Sequence, residues 1–184
     1  LGITKFADYT HNEYLDGLYT VDFPRNYCKD TTLSADGICS SMDWREHDAV
    51  STVKDQGQCG SCWSFSAAGA MEGAYALSSG NLVSLSEQQL VDCSSSYGNH
   101  GCNGGLMQHA FSYIMDNGLT TEDVYPYTSG SGKEGTCESF TPVATASKCF
   151  NVGPNEEQLT YSLSQQPVSV SIEADSRSFQ HFTS

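Results

Sequence analysis

The stretch that decides the fold is Gln56-Gly57-Gln58-Cys59-Gly60-Ser61-Cys62-Trp63-Ser64-Phe65. Its first half is polar and rich in glycine, which favours an extended loop. From Cys62 to Ser79 the chain has no proline and is rich in alanine and serine. This run predicts a buried helix that begins at Cys62 and ends before Gly80, with small residues that let a neighbouring element approach closely.

The spacing of Cys59 and Cys62 is compatible with three chemistries: a zinc clip, a redox dithiol, or one structural and one nucleophilic cysteine. A zinc site needs a second pair of ligands at similar spacing, and Cys93 and Cys102 are too far apart to supply it. A redox dithiol typically follows a strand of a βαβ unit, which is missing here. The third chemistry is therefore favoured.

Cys62 has the surroundings of a nucleophile. At the start of a helix, unpaired N–H groups and the helix dipole favour a thiolate, so we expect a lowered pKa. The side-chain amide of Gln56 could reach the oxygen that becomes negative when a thiolate attacks a carbonyl. Trp63 could shield the site from water. The alternative is a buried structural cysteine within a helix.

The rest of the chain predicts two more helices, followed by strands. Ser86-Glu87-Gln88-Gln89 is a capping-box pattern for a short helix. Apolar residues repeat at three and four over 105–117, which predicts a third helix with Gly118 at its end. The segments 144–151 and 168–173 resemble strands. Helices that precede strands indicate an α+β fold rather than alternating βαβ units.

Composition narrows the range of possible partners and compartments. The 184 residues can bury a core, and 8 Lys and Arg against 22 Asp and Glu give a net charge of −14. Such an acidic chain argues against nucleic acid and against a basic membrane surface as partners. No apolar run approaches the roughly 20 residues of a membrane helix. Eight cysteines suggest an oxidising compartment.

The active-site stretch resembles that of papain-family cysteine proteases, close to cathepsin L. The similarity extends over about 42–179 and is carried by further motifs, which are Asp43-Trp44-Arg45, Asn81-Leu82-Val83-Ser84-Leu85-Ser86-Glu87-Gln88, Leu90-Val91-Asp92-Cys93, Gly101-Cys102-Asn103-Gly104-Gly105, Tyr125-Pro126-Tyr127 and Gln166-Pro167-Val168-Ser169-Val170. The resemblance implies a papain-like fold of two domains, one helical and one β-rich.

The resemblance also implies a domain division. Gly2-x-Thr4-x-Phe6-x-Asp8 is similar to a propeptide motif of these enzymes, so residues 1–40 are expected to be the end of an inhibitory pro-segment. In the family this segment blocks the cleft until low pH or cleavage releases it. Residues 41–143 are then the helical domain with the nucleophile, and 144–184 the start of a truncated β-barrel domain.

By resemblance, Cys62 is the nucleophile, and the Gln56 side chain and the Cys62 N–H form the oxyanion hole. Glycines are expected to pair with the substrate backbone, and apolar residues to line the pocket for the residue two before the cleaved bond. The substrate-binding set is Gly60, Trp63, Gly104, Gly105, Leu106, Met107 and Ser171. The alternatives are an ordinary turn for the glycines and core packing for Leu106 and Met107.

The family further implies the disulfides Cys59–Cys102 and Cys93–Cys137. Three cysteines then remain besides the nucleophile. One arrangement pairs Cys28 with Cys39 and leaves Cys149 free or bonded outside this chain.

The catalytic His and Asn of the family lie roughly 130–150 residues after the cysteine, which places them at about 192–212, past Ser184. None of the five histidines present has the family's sequence context. We therefore expect a fragment of a longer zymogen, inactive by itself. The parent would be an endopeptidase that prefers a bulky hydrophobic residue two before the cleaved bond. The alternative is an inactive, protease-like binding protein.

The resemblance implies no cofactor and no metal. The expected partners are peptide and protein substrates, the protein's own propeptide and cystatin-like inhibitors, with the enzyme a monomer. The expected location is the lysosome or another acidic vesicle, or outside the cell.

Overall fold

The computed structural model describes residues 41–153 and 156–172, together with Phe179 and the backbone of Lys29–Asp30. The pro-segment predicted for 1–40 lies almost wholly outside these residues. The helices are α1 (Cys62–Ser79), α2 (Glu87–Cys93), α3 (Met107–Asn117) and α4 (Glu156–Gln165). Single 3₁₀ turns occupy Trp44–His47, Ser95–Tyr97 and Ser129–Ser131. Strands β1 (Lys29–Asp30) and β2 (Phe150–Asn151) pair in parallel, with Lys29 opposite Phe150.

Helix α1 forms the centre of the molecule and has the limits that the sequence predicts. It ends because Gly80 adopts a left-handed conformation (φ 75°) and donates its N–H to the Ala76 carbonyl. Its small residues Ala67 and Ala68 are fully buried, which lets α2 and α3 pack closely against it. The core around it consists of Trp63, Ala67, Met71, Leu85, Leu90, Val91, Ala110, Tyr113, Ile114, Leu119 and Ala144.

Helices α2 and α3 follow local signals. The Ser86 hydroxyl accepts the N–H of Gln89 at 2.9 Å, so the predicted cap of α2 is present. Helix α3 begins at Met107, two residues later than predicted, and ends with the N–H of Gly118 bonded to Ile114 O at 2.8 Å.

The strand predictions are largely wrong. Within 144–151 only Phe150–Asn151 forms a strand, and Ala144 makes an isolated bridge to Leu119. Residues 168–172 belong to none of the strands described, and Val170 and Ile172 are 50% and 62% exposed. Their alternation therefore has no covering layer in the described chain. Between the two segments lies α4, which the sequence analysis missed.

None of the helices in the described residues is both long and apolar enough to cross a membrane.

Candidate active site

Cys62 is the first residue of α1, and its thiol is exposed and unbonded, alone among the cysteines of the described residues. Ser61 precedes the helix, and its carbonyl accepts the N–H groups of Ser64 and Phe65 at 2.8 and 3.3 Å. These bonds start the helical turn at once, so the backbone N–H groups of Cys62 and Trp63 point towards the thiol side of the helix end. The helix start thus leaves the Cys62 side chain partly open to solvent, although the protein around it also desolvates the sulfur.

The predicted lowering of the Cys62 pKa is not what the structure gives. Partial desolvation by the surrounding protein raises the thiol pKa above its ordinary value. The backbone N–H groups of Trp63 and Cys62 act in the predicted direction but are outweighed. A positive group near the sulfur would act against this desolvation and favour the thiolate.

Gln56 lies on the loop before the helix and is oriented by its neighbours. Its Nε2 donates to the Cys59 carbonyl at 2.8 Å, and an amide nitrogen of this kind carries a second N–H. The next residue, Gly57, has φ 65°, and a Cβ there would lie 2.3 Å from the Gly130 carbonyl oxygen. Only glycine fits, so the loop can lie directly on the segment around Gly130.

A glycine strip lies beside this loop. The Cys59–Cys102 disulfide and a parallel bridge between Gly60 and Asn103 hold the two segments together, with Gly60 N donating to Cys102 O at 2.9 Å. Gly104 has φ 103°, and a Cβ on Gly105 would meet the Trp63 indole at 2.7 Å. The structure thus brings Gly104 and Gly105 close to the Cys62 end of α1.

Trp63 and Leu106 are part of the core. Trp63 is 1% exposed, and its indole N–H donates to Gly101 O at 3.3 Å. Leu106 is 4% exposed, and its N–H is bonded to the Asn99 side chain. The Trp63 indole lies against Gly105, and both side chains are almost fully shielded from solvent.

Met107 and Ser171, both predicted to line a substrate pocket, lie in contact with each other. The Ser171 hydroxyl donates to Met107 Sδ at 3.6 Å, across 64 positions of sequence. Both line a groove of about 1090 Å³ between α1, α3 and the segment 145–171. Met107 also packs against the core, as its alternative role predicts.

The structure contains both disulfides implied by the resemblance, Cys59–Cys102 and Cys93–Cys137. Cys149 is disulfide-bonded within the chain too, so the expectation that it is free or bonded outside this chain is wrong. The proposed Cys28–Cys39 pair lies outside the described residues.

A buried ionic cluster anchors the active-site loop, and the sequence analysis did not foresee it. Lys54, two residues before Gln56, contacts Glu72 of α1 and Glu87 of α2, with both N···O distances 2.6 Å. The two carboxylate side chains are only 1% and 2% exposed. Burial disfavours the charged lysine, but hydrogen bonds to both carboxylates outweigh it and raise the Lys54 pKa. The only signal for this cluster in the sequence was Lys54 itself, a basic residue two positions before Gln56 in a chain with only eight lysines and arginines.

Glu87 should make stability depend on pH. Burial raises its pKa from 4.5 to about 7, against the lowering effect of Lys54. The folded state then holds the proton more tightly than the unfolded chain. The protonated Glu87 side chain then contributes roughly 3 kcal/mol to the free energy of unfolding below about pH 4.5, and this contribution is lost as the pH rises through 7.

Urea unfolding across this range should show the free energy of unfolding falling as the pH rises, and Glu87→Gln should flatten that slope. The exposed-carboxylate control Asp123→Asn should keep the slope, and an equal slope in Glu87→Gln would contradict the assignment.

Among the residues described, no group of His, Cys, Asp and Glu side chains could hold a metal ion.

The structure thus places an exposed thiol at a helix start, a glutamine on the preceding loop and a glycine strip close to one another. Residues 38–184 match the family described as "Papain family cysteine protease", and the chain belongs to that family.

Relatives and solved structures agree with this membership. The chain is 42% identical over 198 residues to cathepsin L of Sarcophaga peregrina and 45% identical over 191 residues to cysteine proteinase 7 of Dictyostelium discoideum. Both matches cover 100% of this chain, and 58% and 41% of those proteins. The chain thus spans about half the length of the curated relatives it matches.

Among solved structures, a recombinant stem bromelain precursor matches with a TM-score of 0.88 at 34% identity, covering 100% of this chain and 60% of that one. Digestive procathepsin L 3 of Tenebrio molitor matches with a TM-score of 0.80 at 42% identity, covering 89% and 53%. The predicted α+β, papain-like fold is confirmed, with the helical domain as the main part described.

Proposed function

We propose that the full-length protein is a cysteine endopeptidase with Cys62 as nucleophile. The observation that carries this proposal is the exposed Cys62 thiol at the start of α1, next to a loop that holds the Gln56 amide in place. The thiolate attacks the substrate carbonyl carbon, a C–S bond forms, and the carbonyl electrons move to oxygen. The amine then leaves with a proton, and water hydrolyses the acyl-enzyme to release the acid and restore the thiol.

The base that takes and returns this proton is proposed to be a histidine beyond Ser184, oriented by an asparagine. An imidazolium beside the sulfur would stabilise the thiolate against the desolvation that raises the Cys62 pKa. The 184-residue chain by itself is accordingly proposed to be inactive.

Substrate preference is proposed to reside in the groove at Met107 and Ser171. A thioether and its apolar surroundings favour a bulky hydrophobic side chain two positions before the cleaved bond. The glycines of the strip, Gly60, Gly104 and Gly105, would bind the substrate backbone, because the lack of a Cβ permits close approach.

The remaining proposals follow from family membership. Residues 1–40 act as an inhibitory pro-segment, 41–143 as the helical domain and 144–184 as the start of the β-rich domain. The mature enzyme is monomeric, inhibited by cystatin-like proteins, and active in lysosomes, other acidic vesicles or secretions.

The test is hydrolysis of fluorogenic peptides by the full-length protein after removal of its pro-segment. Peptides with Leu or Phe two positions before the cleaved bond should be cut faster than matched peptides with Asp there. Iodoacetamide should abolish cleavage in proportion to the labelling of Cys62. Tight peptide binding without cleavage would instead favour a protease-like binding protein.

Gln56→Ala is expected to lower kcat by about 10²–10³-fold, because one donor to the developing oxyanion is lost. KM should change little, since the interaction strengthens in the transition state. Steady-state kinetics of the mature enzyme measure this. Gln58→Ala, the neighbouring exposed glutamine, is the matched control and should retain kcat. Equal kcat values in the two variants would contradict the oxyanion role.

A further inference from the structure

Tyr127 joins the two segments that carry the proposed catalytic groups. Its hydroxyl donates to the backbone carbonyl of Gln56 at 2.9 Å and shares a second hydrogen bond with the Ser61 hydroxyl at 2.8 Å. Gln56 carries the proposed oxyanion donor, and Ser61 immediately precedes the nucleophile. The Tyr127 hydroxyl thus links the loop that carries Gln56 to the start of α1.

Tyr127 is itself held in place by its ring and by its backbone. Its ring packs edge-on against Phe65 of α1, with centroids 4.9 Å apart and planes at 75°. Its backbone N–H donates to the Glu122 carboxylate at 2.7 Å. Burial raises the pKa of the hydroxyl, so it remains a neutral donor throughout the working pH range. The hydroxyl therefore has a defined position and direction.

The residues after Tyr127 hold the loop that carries Gln56 at a second point. The Gln88 side chain of α2 accepts the N–H groups of Thr128 and Ser129 at 2.8 and 2.9 Å. The next residue, Gly130, accepts the N–H of Gln58 at 2.9 Å through its carbonyl. The loop is thus held at positions 56 and 58 by a segment that is anchored to the helical core.

We propose that Tyr127 is a positioning residue for the oxyanion hole. It holds the Gln56 peptide at a fixed place relative to Cys62, so the side-chain amide meets the oxyanion without reorganisation. A donor acts on the transition state only when it is placed in advance, and small displacements of such groups are costly. This role rests on the proposed peptidase function. Tyr127 itself need not touch substrate.

The test is Tyr127→Phe in the full-length protein, assayed after pro-segment removal. The variant keeps the ring against Phe65 and removes both hydroxyl hydrogen bonds. We expect kcat to fall about tenfold with KM within about twofold, the signature of an interaction used in the transition state. Alkylation of Cys62 by iodoacetamide should be unchanged within about twofold, because displacement at that carbon forms no oxyanion.

Tyr125→Phe is the matched control. The Tyr125 hydroxyl makes three hydrogen bonds, to Asp92 at 3.0 Å, to the Thr136 carbonyl at 3.2 Å and from the Glu138 N–H at 3.2 Å. None of these bonds involves Gln56 or Ser61. We expect a comparable loss of melting temperature in both variants and a loss of kcat in Tyr127→Phe alone. Equal kcat values for the two variants would reduce Tyr127 to a structural residue.

A double-mutant cycle identifies the route of the effect. If Tyr127 acts through Gln56, then Tyr127→Phe should change kcat less than about twofold in the Gln56→Ala background. A tenfold fall that persists there would overturn the proposal. A wild-type protein with no hydrolysis overturns the proposed function and this role with it. An active wild type whose kcat is untouched by Tyr127→Phe overturns this role alone.

Discussion

Replacement of Cys62 by alanine in the full-length protein is expected to lower peptide hydrolysis by at least about 10⁴-fold. In the proposed mechanism the sulfur forms the covalent bond to the acyl group, and among the described residues none of the side chains next to Cys62 along the chain is a second thiol. The nearest hydroxyl along the chain, Ser61, is fully buried and already bonded to Tyr127. Turnover should be measured on the mature enzyme with a peptide that carries leucine two positions before the cleaved bond.

The control for this variant is Ser78→Ala, an exposed change at the opposite end of the same helix. It should retain wild-type turnover and thiol labelling, whereas Cys62→Ala should lose both and keep its melting temperature. Hydrolysis by Cys62→Ala that iodoacetamide still inhibits would show that another cysteine is the nucleophile. The assignment of Cys62 as the nucleophile would then be wrong.

The part of the site that sequence predicts well is the part fixed by local interactions. Helix α1 begins at Cys62 because a glycine-rich loop gives way to a run of small residues there, and it ends at Gly80 because glycine alone adopts that conformation readily. The cap at Ser86 likewise depends on residues three apart. Such signals lie within one turn of backbone, so a single sequence displays them.

What sequence missed depends on residues that are distant along the chain. Lys54 meets Glu72 and Glu87 across 18 and 33 positions, and Tyr127 reaches Gln56 across 71. No periodicity marks such pairs, because only the packing of the helices brings them together. The strand predicted at 168–173 failed for a related reason. An alternation of apolar and polar residues specifies a strand only where other parts of the protein pair with it and pack on its apolar face.

Substitution of Lys54 by methionine is expected to cost about 3–5 kcal/mol of folding stability at neutral pH. Methionine retains the length of the apolar stem but leaves Glu72 and Glu87 without their shared counter-charge. Glu72 still accepts hydrogen bonds from Ser51 and the Leu85 N–H, so the larger part of the cost should fall on Glu87. Urea unfolding of the full-length protein measures the loss.

Two further variants separate the buried charge from a general effect of losing a lysine. Lys133→Met removes an exposed lysine and should change stability by less than about 0.5 kcal/mol. The double variant Lys54→Met with Glu87→Gln should recover part of the loss, because the uncompensated carboxylate is then absent.

The stability cost of Lys54→Met should also shrink in acid, where Glu87 takes up its proton. A cost that is the same at pH values on both sides of that titration would contradict the cluster as its origin. Since Lys54 lies two residues before Gln56, the same substitution should also loosen the oxyanion loop and lower kcat.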